Sequence, residues 1–124
     1  VMTFLKRLIT LRVRKRRRYK AREGVFVIYD QSMSKNQVDN ISMGGLSFYY
    51  VDNGRKIDKG SYELSLINRN RICLGKVPFK TVSDTETGEI LFRNKRVKRQ
   101  SVRFDNLSGP QRNQLKDIIA NFTE

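Results

Sequence analysis

From Gly24 to Phe104 the chain is built of short β-branched and aromatic runs at close intervals, and that spacing implies a small antiparallel barrel. Strand-like runs fall at 25–29, 37–41, 46–51, 62–67, 71–82, 89–92 and 97–104. Between them stand Asp52-Asn53-Gly54, Asn68-Arg69-Asn70 and Thr85-Glu86-Thr87-Gly88, residues that accept left-handed backbone or bond their own main chain and so suit hairpin connections. The pattern changes after Leu107. Ser108 with Gln111 three residues on forms a capping pair, and Leu115, Ile118, Ile119 and Phe122 recur at helical spacing, which predicts a C-terminal amphipathic helix over about 109–122 packed on the barrel. The expected class is mainly β: six antiparallel strands, one helix and a basic N-terminal segment.

A chain of 124 residues has room for one core, so one site is sought. It has no His, no Trp and a single Cys, which leaves zinc sites, His-based acid–base catalysis and Ser-His or Cys-His nucleophile pairs without their parts. Asp84 and Glu86 fall in a polar, turn-like stretch with no nucleophile beside them and read as a solvated loop. A binding protein is therefore expected rather than an enzyme. Cys73 lies in the apolar run Ile72-Cys73-Leu74 and reads as a buried, inert thiol of a reducing compartment. Apolar runs are short and the first is broken by Lys6, Arg7 and Arg12, so neither a signal peptide nor a spanning helix is expected, and the expected location is the cytoplasm.

The charge is concentrated at one end. Of the net +14, residues 1–22 carry +10, from ten Lys or Arg and no acid; the rest of the chain carries only +4. Phe4, Leu5, Leu8 and Ile9 recur at helical spacing, which predicts a short basic amphipathic helix within a separate segment, 1–15, ahead of a barrel domain at 16–124. Residues 15–22 have no apolar period and six bases in eight positions, the composition of a mobile, self-repelling connector. An anionic partner follows from the charge.

Two short patterns flank the first strand. Arg18 and Arg22 stand with three residues between them just ahead of Gly24. The same spacing at Arg12/Arg16, Arg14/Arg18 and Arg99/Arg103 shows that only position selects this pair. After the strand comes Asn40-Ile41-Ser42-Met43-Gly44-Gly45, of the form Asn/Asp-x-Ser-x-x-Gly. In order and separation the two resemble the PilZ family, and Val102-Arg103-Phe104-Asp105-Asn106-Leu107-Ser108 before a helix looks like that family's last strand and C-terminal helix. The resemblance spans about residues 16–122. It implies a receptor for cyclic di-GMP, with Arg18 and Arg22 on phosphate and guanine, Asn40 and Ser42 on guanine, Gly45 shaping the turn and Gly44 beside it. Arg17 offers a further donor for a second, stacked nucleotide. It implies no metal and no cofactor beyond the ligand, and a downstream protein target that the sequence leaves unidentified.

The residue chemistry suits such a ligand. A guanidinium fork bonds phosphate oxygens or the O6/N7 edge of guanine, an amide or hydroxyl meets base-edge donors and acceptors, and a glycine lets backbone approach a planar group. Two other readings compete. An RNA-binding β-barrel with a basic arm would stack bases on Phe48, Tyr49 and Tyr50, but consecutive strand residues face opposite ways and split that trio, so nucleic acid is the lesser expectation. Residues 2–22 also suit contact with an anionic membrane surface, which is compatible with nucleotide binding.

Overall fold

Alternation of apolar and polar residues becomes alternation of inward and outward side chains once strands pair, and it builds the barrel here. The computed structural model describes residues 17–29, 34–52 and 62–124. The helix expected near the N-terminus and the turn beyond Asp52 lie outside these residues. Seven strands are present among the described residues: β1 (Tyr19–Lys20), β2 (Val25–Tyr29), β3 (Asn36–Ile41), β4 (Gly45–Asp52), β5 (Tyr62–Asn68), β6 (Arg71–Leu91) and β7 (Lys95–Phe104). One helix, α1 (Gly109–Phe122), follows. Hydrogen bonding runs β3-β2-β5-β6-β7-β4 and returns from β4 to β3, so six strands close a ring; every pair is antiparallel. β1 extends the ring by pairing with the end of β3 that β2 leaves open.

The inward set is Val25 and Val27 of β2, Val38 and Ile41 of β3, Leu46 and Phe48 of β4, Leu64 and Leu66 of β5, Leu74, Val77 and Phe79 of β6, and Val102 and Phe104 of β7. Phe48 is wholly enclosed, with the Tyr29 ring 5.4 Å away. Helix α1 caps one mouth of the barrel by sinking Leu115 and Ile118 into the same cluster, each contributing about 1.5–3 kcal/mol of hydrophobic stabilisation. Its start is fixed as the sequence predicts: Gln111 N donates to Ser108 Oγ at 3.2 Å, and Ser108 N donates to Gln111 Oε1 at 2.9 Å. Gln111 Nε2 also donates to Gly75 O at 3.0 Å, tying the helix to β6.

The Asn68-Arg69-Asn70 turn forms as expected, with Arg69 (φ 50°) and Asn70 (φ 63°) both left-handed, the conformation a two-residue hairpin needs. The turn expected at Thr85-Glu86-Thr87-Gly88 does not form. β6 runs through Thr85-Glu86-Thr87-Gly88 to Leu91, and the chain reverses at Phe92-Arg93-Asn94, where Arg93 (φ 66°) and Asn94 (φ 58°) are left-handed. Cross-strand bonds hold the polar stretch in the sheet: Thr87 Oγ1 donates to Val97 O at 2.9 Å, and Arg96 Nη1 donates to Glu86 Oε1 at 2.8 Å. Gly88 (φ 86°) sits inside a register shift between Glu86 and Ile90, so the glycine marks a bulge instead of a reversal.

Asp84 and Glu86 are thus cross-strand partners and not loop residues. Asp84 accepts from the Tyr50 hydroxyl at 2.6 and 2.7 Å and lies 3.6 Å from Lys98 Nζ. Cys73 is also corrected: it is half-buried, packed against the core rather than enclosed within it. Leu66 pairs with Leu74 and Ile67 with Ile72, which leaves Cys73 as the extra residue of a bulge. The aromatic trio splits as expected, Phe48 into the core and Tyr49 outward, with Tyr50 tied to Asp84. Among the described residues no helix is long and apolar enough to cross a membrane.

Candidate functional site

Backbone pairing brings the two sequence patterns together. Tyr19 pairs with Ile41 and Lys20 with Asn40, so the segment between the two arginines lies along the end of β3 that carries Asn40. Ala21, 6% exposed, anchors this segment by donating its N–H to Asp39 O at 2.9 Å. The opposite edge is occupied by the chain's last residues. Arg22 N donates to Phe122 O and Glu124 N donates to Lys20 O, both at 2.9 Å, with a bridge between Ala21 and Thr123. Residues 19–22 are therefore held on both sides, which corrects the expectation of a mobile connector over its last four residues.

The three arginines are placed differently. Arg18 is exposed. Arg17 carries its Cζ 5.2 Å from the centre of the Tyr19 ring, a cation–π contact. Arg22 turns to the C-terminus, its Nε donating to Thr123 O at 3.1 Å. Arg22 also borders an open groove of about 920 Å³, where Lys35, Arg69 and Arg71 stand around Phe26 and Phe122.

The Asn40 to Gly45 element is a tight turn. Ser42 N donates to Gly45 O at 2.8 Å, and Gly44 N donates to Ser42 Oγ at 3.1 Å. Ser42 is 8% exposed, so its hydroxyl belongs first to the turn. Gly44 O accepts from Phe104 N at 2.9 Å. Gly45 is required by close approach: a Cβ there would lie 2.1 Å from Val102 O. Asn40 differs from these three. It is half-buried at the strand's end, between Lys20 on one side and Ser47 on the other.

Sequence reading missed three contributors. Lys20 faces Asn40 across the β1–β3 pair, which only the register reveals. The tail at 122–124 forms the other wall of the arginine segment. Arg99, whose spacing to Arg103 is one of the chance repeats, reaches Asp39 and Ser47 beside Asn40. Together these residues present cations and hydrogen-bonding amides on one outer face, chemistry suited to an anion carrying planar bases.

No family model matches the chain, and no curated protein matches it by sequence. Among solved structures, the PilZ domain with c-di-GMP of YcgR from Escherichia coli aligns with a TM-score of 0.63 and 17% sequence identity, covering 88% of this chain and 90% of that one. The chain has a PilZ-like fold.

Proposed function

We propose that this chain is a receptor domain for cyclic di-GMP. The observation that carries the reading is the β1–β3 register, which sets the segment between Arg18 and Arg22 against the end of β3 that carries Asn40, within a PilZ-like fold. The neighbour of that fold was solved with c-di-GMP. Arg18, exposed and ahead of the pairing, takes a phosphate, and Arg17 a base face or a second nucleotide. Arg22 exchanges its bond to Thr123 O for the ligand. Asn40 reads a guanine edge, Ser42 and Gly44 keep the turn in shape, and Gly45 lets β4 lie against β7. Residues 16–124 act as the receptor and 1–15 as the element it repositions. Because residues 19–22 are already paired, the ligand orders the chain ahead of Tyr19 and so redirects that segment toward a protein target or an anionic membrane surface.

The test is titration of the chain with cyclic di-GMP beside cyclic di-AMP, GTP and single-stranded RNA. The reading expects saturable, selective binding of cyclic di-GMP. Preference for RNA with no selectivity for the dinucleotide would reject it.

A further inference from the structure

Arg99 of β7 lies beside this site. Its Nε and Nη2 donate to Asp39 Oδ2 at 3.2 and 3.1 Å, and Nη2 donates to Ser47 Oγ at 2.9 Å. Ser47 is the pairing partner of Asn40, and opposite residues of an antiparallel pair share a face, so Asn40 and the Arg99 guanidinium flank Ser47 on the outside of the barrel. Tyr49, exposed on the same face, is the pairing partner of Arg99. Asp39 is the extra residue of a bulge between Val38 and Asn40, and its carbonyl holds Ala21 N. The guanidinium is thus clamped to a fixed part of the backbone, with 30% of the side chain open to solvent. Nη1, with two N–H donors, has no hydrogen-bond partner among the described residues.

We infer that Arg99 is a further ligand-binding arginine that sets the choice of base, with Asp39 and Ser47 as its positioning residues. The inference rests on the reading of the chain as a cyclic di-GMP receptor. Guanine shows two acceptors, O6 and N7, on one edge, whereas adenine shows an acceptor and the N6 donor. Nη1 can only donate, so a guanine seated on Asn40 gains a bond there that an adenine loses, and the adenine N6 donor meets another donor. The clamp by Asp39 and Ser47 removes the rotamer freedom that a long side chain otherwise gives up on binding.

Affinities of the full chain and of Arg99→Gln and Arg99→Lys for cyclic di-GMP and cyclic di-AMP, each with a thermal unfolding curve, test this. Arg99→Gln is expected to weaken cyclic di-GMP by about tenfold or more, the scale of one charge-assisted bond, and to shrink the preference over cyclic di-AMP by a similar factor. Arg99→Lys keeps a cation beside Asp39 and therefore the fold, yet lacks the clamped fork, so it too should lose preference. An ion pair that only holds the bulge would lower the melting temperature and leave the ratio of the two affinities unchanged. That result in Arg99→Lys, with the intact chain binding cyclic di-GMP, overturns the inference alone. Absence of binding by the intact chain overturns the receptor reading and this inference with it.

Discussion

Within the Asn40 to Gly45 turn, adjacent residues have separable work. Ser42 spends its hydroxyl on Gly44 N and is buried, whereas Asn40 sits near the strand's end with no side-chain hydrogen bond among the described residues. Ser42→Ala strips the half-buried Gly44 amide of its acceptor and is expected to cost about 1 kcal/mol of stability, with nucleotide affinity falling as a consequence. Asn40→Ala is expected to leave the unfolding midpoint within about 0.5 kcal/mol of the parent while weakening cyclic di-GMP. Denaturant titration and calorimetry on both variants check the split; equal losses of stability would show that the whole element is only a turn. The sequence spelled out this element because Asn, Ser and Gly each carry their chemistry in their identity. It gave no sign that Gly45 answers to the Val102 carbonyl, since that neighbour is 57 positions away and is brought in by the β4–β7 register.

At the scale of elements, local signals were legible where the chain itself satisfies them. The Ser108 capping pair and the Asn68-Arg69-Asn70 turn formed as read, because both are settled within a few residues. Thr85-Glu86-Thr87-Gly88 was misread because its composition suits a reversal in isolation, and only β7 opposite it, with Arg96, Lys98 and the Val97 carbonyl, turns it into strand. The same ribbon carries the Tyr50–Asp84 bond, which spans from β4 to β6 across β7. Burial first, and then the hydrogen bond to Asp84 and its charge, push the Tyr50 phenol well above its ordinary range. Below about pH 10 the phenol keeps its proton in the folded and unfolded chain alike, and the stabilisation is intact. Above that, the unfolded chain releases the proton first, so stability falls as pH climbs. Urea unfolding from pH 9 to 11 should show this fall, and Tyr50→Phe should make it shallower than in the parent; identical slopes would mean that Tyr50 ionises as freely in the fold as outside it.

Across the whole molecule, the barrel converts sequence distance into adjacency. The ring closes through β3 and β4, and the two ends of the described chain then meet beside the same site, residues 19–22 lying between β3 and the tail at 122–124. Neither side could be read in advance, because a two-residue strand such as β1 has no period and the tail begins on the last residue of the helix. The basic groove of Lys35, Arg69 and Arg71 borders Arg22 from the other side, which gives the anion a competing place to settle. Backbone amide shifts recorded by NMR during a titration with cyclic di-GMP decide between them in one experiment. The account predicts shifts that cluster on residues 17–22 and 40–45, spread to Arg99, and vanish in Arg18→Ala but persist in Arg112→Ala. Shifts confined to residues 69–71, or none at all, would contradict it.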